Sequence, residues 1–131
     1  MRPGAYGVTQ NYETTLDAIL AFHEQQSPIP HIRKYELVKG DVTNTLDRYL
    51  ADHPETVVAL AYFDLDLYAP TRHCLDRILC RMPKSAVLAF DELNYERFPG
   101  ETAAVMEVLG ISRLRLERVP YSPLTSFAVL E

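Results

Sequence analysis

Four carboxylates sit close together along this chain: Asp64, Asp66, Asp91 and Glu92. Each pair follows an apolar run. Val57-Val-Ala-Leu-Ala-Tyr-Phe63 leads into Asp64-Leu-Asp66, and Ala86-Val-Leu-Ala-Phe90 leads into Asp91-Glu92. Uninterrupted apolar runs of this length fit strands covered on both faces, as in a parallel sheet. In open α/β sheets, ligands bind beyond the carboxyl ends of the strands. All four acids fall at such ends, as does Asp41 after the shorter run Tyr35–Lys39. Side chains of an extended segment repeat every second residue, so Asp64 and Asp66 are expected to point the same way. Two like charges in contact repel by about 4 kcal/mol at an effective dielectric of about 20. Crowding them favours a hard divalent cation such as Mg²⁺, Mn²⁺ or Ca²⁺, which takes oxygen ligands. The plain alternative is that each acid caps the helix after it, a role that Asp fills well.

The elements that must position these acids alternate. Asn11 is a plausible cap for a helix to about Gln26, with Leu16, Ile19, Leu20 and His23 on one face. Two prolines in Ser27-Pro-Ile-Pro30 end it. Tyr35–Lys39 reads as a strand, and Thr43 or Asn44 starts a helix with Leu46, Tyr49 and Leu50 inward. A helix from about Pro70 to Arg81 joins the two apolar strands, and another runs from Pro99 to Leu109 with Gly110 as its terminal cap. Arg113 to Val119 alternates charged and apolar residues, Pro120 to Pro123 is a turn, and Ser126 to Leu130 is a last strand. This pair fits an antiparallel hairpin at the sheet edge. The alternation implies an α/β sheet with right-handed crossovers.

Bulk properties narrow the function. A length of 131 residues points to one domain. The net charge of −5 and the lack of a Lys/Arg block argue against a nucleic-acid partner. No apolar run reaches the length of a membrane span, and the first residues lack the apolar core of a secretion signal. Cys74 and Cys80 lie on different faces of one predicted helix, so both read as reduced core thiols of a cytoplasmic protein.

Three families place Asp-x-Asp after an apolar strand. Haloacid-dehalogenase-like phosphatases continue with a small residue and then Thr or Val, where Leu67 and Tyr68 stand here. Glycosyltransferases with this motif do not call for a second acidic pair one strand later. The third is closer. Phe63-Asp-Leu-Asp-Leu-Tyr-Ala-Pro-Thr71, then Ala89-Phe-Asp-Glu-Leu-Asn94, then Phe98-Pro-Gly-Glu-Thr102 resembles the macrocin-type, metal-dependent class I O-methyltransferases, which use S-adenosylmethionine. The resemblance runs from about Tyr6 to the end.

That resemblance implies a set of roles. Asp64, Asp91 and Glu92 match the ligands of Mg²⁺ or Mn²⁺, and Asp66 matches the catalytic base. Asp41, Val42 and Asp64 match positions on the S-adenosylmethionine side. The acceptor is a small molecule with vicinal hydroxyls, on a sugar or natural product. The implied fold is a three-layer Rossmann-like sheet ending in an antiparallel hairpin, its strands ordered 3-2-1-4-5-7-6. The Gly-rich strand-turn-helix that grips S-adenosylmethionine has no counterpart here, because Gly4, Gly7 and Gly40 are the only glycines before the first long apolar run. On that alignment residues 1–131 form one incomplete domain whose first two strands are absent. Tyr35–Lys39 loses its neighbours, and Val57–Phe63 becomes an exposed edge that invites a partner chain or a second copy. The competing expectation is a catalytically inactive, truncated relative that serves as an interaction subunit.

Overall fold

The computed structural model describes residues 9–131. The loop expected over the first ten residues therefore lies mostly outside the described residues. The chain divides into two compact units, Met1–Gly40 and Asp41–Glu131.

In the first unit, α1 spans Tyr12–Gln25. Asn11 occupies the cap position, but in the left-handed region (φ 60°) and without a side-chain cap bond. The expected inward face is not buried: α1 buries no residue, and Ile19 and His23 are exposed. Tyr35–Lys39 is not a strand. A strand needs a neighbour to take its backbone hydrogen bonds, and among the described residues the four strands pair only with one another. The segment is held by side chains instead. The Tyr35 hydroxyl donates to the carbonyl (3.1 Å) and carboxylate (3.0 Å) oxygens of Asp17, and the Arg33 guanidinium lies 4.2 Å above the Tyr35 ring.

The second unit holds α2 (Val42–Asp52), β1 (Leu60–Phe63), α3 (Tyr68–Ile78), β2 (Val87–Phe90), α4 (Gly100–Val108), β3 (Leu116–Arg118) and β4 (Ser126–Val129). Pro70 sits in the first turn of α3, where its missing N–H costs nothing. Thr71, Cys74, Leu75 and Ile78 are the buried positions of α3, three and four residues apart as one helical face requires. A 3-10 turn over Leu79–Arg81 follows, and it leaves Cys80 exposed while Cys74 is buried. Only one of the two thiols is therefore a core residue. Gly110 ends α4 as expected: it takes φ +70° and returns its N–H to the Val105 carbonyl at 3.2 Å.

The sheet order is β1-β2-β4-β3. β1 and β2 are parallel with Phe63 opposite Phe90, whereas β4 runs antiparallel to both β2 and β3. The expected closing hairpin is present, with β4 inside the sheet and β3 at its edge. The parallel ladder continues one step past the strands, where Asp91 N–H donates to the Phe63 carbonyl at 2.9 Å. The Phe63 and Phe90 rings stack at 5.1 Å. Around them Leu75, Ile78, Leu88, Leu93, Ala104 and Val105 complete the core, with Val42, Leu46, Leu79 and Leu109 packed against it.

The first apolar run departs from expectation. Its strand begins only at Leu60, and it is not covered on both faces, since Leu60 is 61% and Tyr62 54% exposed. Among the described residues β1 has one neighbour and forms the sheet edge. Among the described residues no helix is long and apolar enough to cross a membrane.

Phe90 is fully buried against Phe63 at the base of both acid loops. Phe90→Ala is expected to cost about 3–5 kcal/mol of unfolding free energy. Urea denaturation followed by circular dichroism checks this, with a shifted midpoint and an unchanged slope.

Candidate active site

Two loops carry the acids. The first leaves β1 through Asp64, Leu65 and Asp66 and enters α3 at Tyr68. It is not extended throughout. Asp66 has φ +57°, and Leu67 N–H bonds back to the Leu65 carbonyl, which makes a tight three-residue turn centred on Asp66. The premise that put Asp64 and Asp66 on one side by strand alternation therefore fails. A non-glycine residue at positive φ stores strain, and such residues gather at functional sites. The second loop leaves β2 through Asp91 and Glu92. Asn94 also takes positive φ, 64°, and its N–H donates to Thr102 Oγ1 at 2.8 Å.

The first turn of α4 joins the two loops. Glu101 is fully buried. Its Oε1 accepts the Leu65 N–H and its Oε2 the Glu92 N–H, both at 3.2 Å. Gly100, beside it, leaves no room for a side chain. A Cβ there would stand 2.3 Å from the Asp66 carbonyl oxygen and 2.4 Å from the Tyr68 nitrogen. Burial, against two N–H donors that favour the charged form, raises the Glu101 pKa.

The four acids are electrostatic neighbours in series, with Asp66 and Asp91 each acting on both Asp64 and Glu92. Asp64 titrates high, first because burial desolvates it and then because Asp91 and Asp66 repel it. Glu92 is pushed up to about 7 by desolvation, by a hydrogen bond shared with Asp66, and by the charges of Asp66, Asp91 and Glu101. Among the described residues, no Lys, Arg or His forms an ion pair with any of the four. Asp91 is instead held by hydroxyls, with Tyr62 and Thr125 both donating to its Oδ1. Glu92 Oε2 is buried and, among the described residues, has no hydrogen-bond partner. A buried oxygen left unpaired is costly, and it suits a cation. The side chains as they stand do not converge into a ready cage: among the described residues, no three His, Cys, Asp or Glu groups are placed to hold one ion.

Helix capping accounts for only one of the acids. Asp41 caps α2, accepting Thr43 N–H at 2.9 Å and Thr43 Oγ1–H at 2.6 Å through Oδ1. Val42 opens α2 and packs on the core. The cap positions of α3 and α4 are Leu67 and Pro99, and neither helix has a side-chain cap bond. The helix-cap reading of Asp64, Asp66, Asp91 and Glu92 is thus not what these side chains do. Tyr68 donates its hydroxyl to Glu107, and Arg72 pairs with Glu107 at 2.8 Å and Asp76 at 3.8 Å. Both fasten α3 to its surroundings rather than facing the acids. Glu101 was not among the acids singled out by spacing, although Pro99-Gly-Glu-Thr102 holds a signal: a carboxylate after Pro-Gly in a first helical turn, followed by apolar Ala103-Ala-Val105.

Among the solved structures that the chain resembles are two of one protein. One is the apo structure of CalS11, a TDP-rhamnose 3'-O-methyltransferase and an enzyme in calicheamicin biosynthesis. The match has a TM-score of 0.87 and 40% sequence identity over 95% of this chain and 54% of that one. The other is a crystal structure of CalS11, described as calicheamicin methyltransferase, matched at TM-score 0.87 and 40% identity over 98% of this chain and 52% of that one. The chain thus spans about half the length of the structures it matches. No family model matches it, and no curated protein does.

Two outcomes follow from this geometry. Glu92 ionises near 4.5 when unperturbed and near about 7 in the fold. Between those values the folded chain keeps a proton that the unfolded chain has lost, so unfolding free energy falls as pH rises. The urea midpoint without divalent cations is expected to be higher at pH 5 than at pH 7.5, and Glu92→Gln should flatten that slope. Gly100→Ala forces a methyl into backbone and is expected to lose at least about 1–3 kcal/mol, read as a lowered thermal midpoint.

Proposed function

We propose that this chain forms the acceptor-side part of an S-adenosylmethionine-dependent, divalent-metal-dependent O-methyltransferase acting on a hydroxyl of a sugar or natural product. The likeness to a sugar O-methyltransferase, at 40% identity across 95% of the chain, carries the reading. The acid constellation and the sheet order support it. β1-β2-β4-β3 with a closing antiparallel pair is the arrangement expected for the last four strands of a Rossmann-like class I methyltransferase sheet.

In this reading Asp64, Asp91 and Glu92 hold Mg²⁺ or Mn²⁺. The orphaned Glu92 oxygen and the uncompensated repulsion among the acids fit a hard cation in kind. A cation there would orient neighbouring hydroxyls and lower their pKa, and S-adenosylmethionine would supply an electrophilic methyl group. Asp66 takes the hydroxyl proton as general base, its backbone set by the strained turn. Asp41 uses only Oδ1 for its cap, which leaves Oδ2 for the donor. Val42 stands beside it. The donor pocket would be completed by strands laid against the β1 edge. Two unpaired thiols, Cys74 and Cys80, suit a cytoplasmic setting.

A second reading is a non-catalytic interaction subunit. The β1 edge, unpaired among the described residues, favours it. Calorimetric titration of S-adenosylmethionine with and without Mg²⁺ separates the two. The enzyme reading expects metal-dependent binding that Asp64→Ala abolishes. It also expects Asp66→Asn to retain binding while methyl transfer falls by about 10²–10⁴-fold. No binding in either condition favours the subunit.

A further inference from the structure

We infer that Glu101 is a positioning residue: it couples the loop after β1 to the loop after β2 and so sets the spacing of Asp64 and Asp66 against Asp91 and Glu92. Its two oxygens divide between the loops, Oε1 to Leu65 N–H and Oε2 to Glu92 N–H, each at 3.2 Å. Leu65 lies between Asp64 and Asp66, and Glu92 is itself one of the acids. The clamp therefore acts on the backbone that carries the cluster.

Other roles for Glu101 fit the geometry less well. It has no exposure to solvent, so it is not placed to meet a substrate. Both oxygens already accept N–H donors, so it is not a waiting ligand. Its bonds leave its own helix, so it is not serving the α4 terminus alone. A neutral amide cannot replace it, because Gln offers one acceptor oxygen and would turn an N–H₂ donor toward the other N–H. Gly100 supplies an independent observation: the residue before the clamp touches the Asp66–Tyr68 backbone closely enough to exclude any side chain. Two consecutive residues of α4 thus seat the same loop.

Glu101→Gln and the control Thr102→Val distinguish this role from general stability. Thr102 anchors the Asn94 N–H in the same turn without touching the clamp. Hydrogen exchange of the full chain reads the clamp directly. Glu101→Gln should speed exchange of the Leu65 and Glu92 amides by at least about tenfold, while the strand amides of Leu88 and Ala128 hold their rates. Thr102→Val should leave Leu65 and Glu92 unchanged. A second readout, Mn²⁺ affinity by electron paramagnetic resonance, rests on the cation reading above. Glu101→Gln should weaken binding by about 10–100-fold and Thr102→Val should not. Unaltered Leu65 and Glu92 exchange in Glu101→Gln, or equal acceleration of all four amides, overturns the inference. Failure of the unmutated chain to bind Mn²⁺ counts against the cation reading alone, and the exchange result still decides Glu101.

Discussion

The arrangement of this site depends on a carboxylate that solvent cannot reach. Glu101 accepts one N–H from each acid-bearing loop, and hydrogen bonds to a charged group contribute about 1.5–3 kcal/mol each. Burying a charge is otherwise expensive. Here the cost is partly offset by two donors that would themselves be orphaned without it. The Phe63–Phe90 stack fixes the ends of the two central strands beneath, and the Asp91 N–H to Phe63 carbonyl bond carries their pairing up to the first acid. Strand, loop and helix terminus thus form one braced unit around four like charges.

That bracing explains how mutual repulsion persists in a folded chain. Left free, the loops would splay until Asp64, Asp66, Asp91 and Glu92 no longer felt one another. Held in place, Glu92 and Asp64 retain protons to higher pH instead. Glu92 rises furthest, to about 7, and Asp64 rises as well. Asp91 is steadied by the Tyr62 and Thr125 hydroxyls. The site stores electrostatic tension that a cation or a proton can discharge.

The acids and the sheet that bears them were legible in the sequence because hydropathy marks buried strands and carboxylates stand out at their ends. The closing hairpin was legible for the same reason, from the alternation after Arg113. Three things were not. The turn at Asp66 depends on one residue taking positive φ, which a hydropathy pattern does not encode. Tyr35–Lys39 has the residues of a strand, but a strand exists only if another offers its backbone, and none does among the described residues. Glu101 escaped because its partners are backbone N–H groups 36 and 9 positions away. Every residue but proline has such a donor, so the partner leaves no mark on the sequence.

Tyr62 shows what an edge position does to a site. Its ring stands on the outermost strand, more than half exposed, while its hydroxyl reaches Asp91. A strand that adds to β1 would pass beside that ring, and a ligand taken by Asp91 Oδ1 would meet that hydroxyl. A ligand on Oδ1 that released Tyr62 would link edge assembly to acid occupancy through one side chain, and such linkage is reciprocal: the ligand would alter the affinity of the edge for a neighbour by the same factor that the neighbour altered the ligand's.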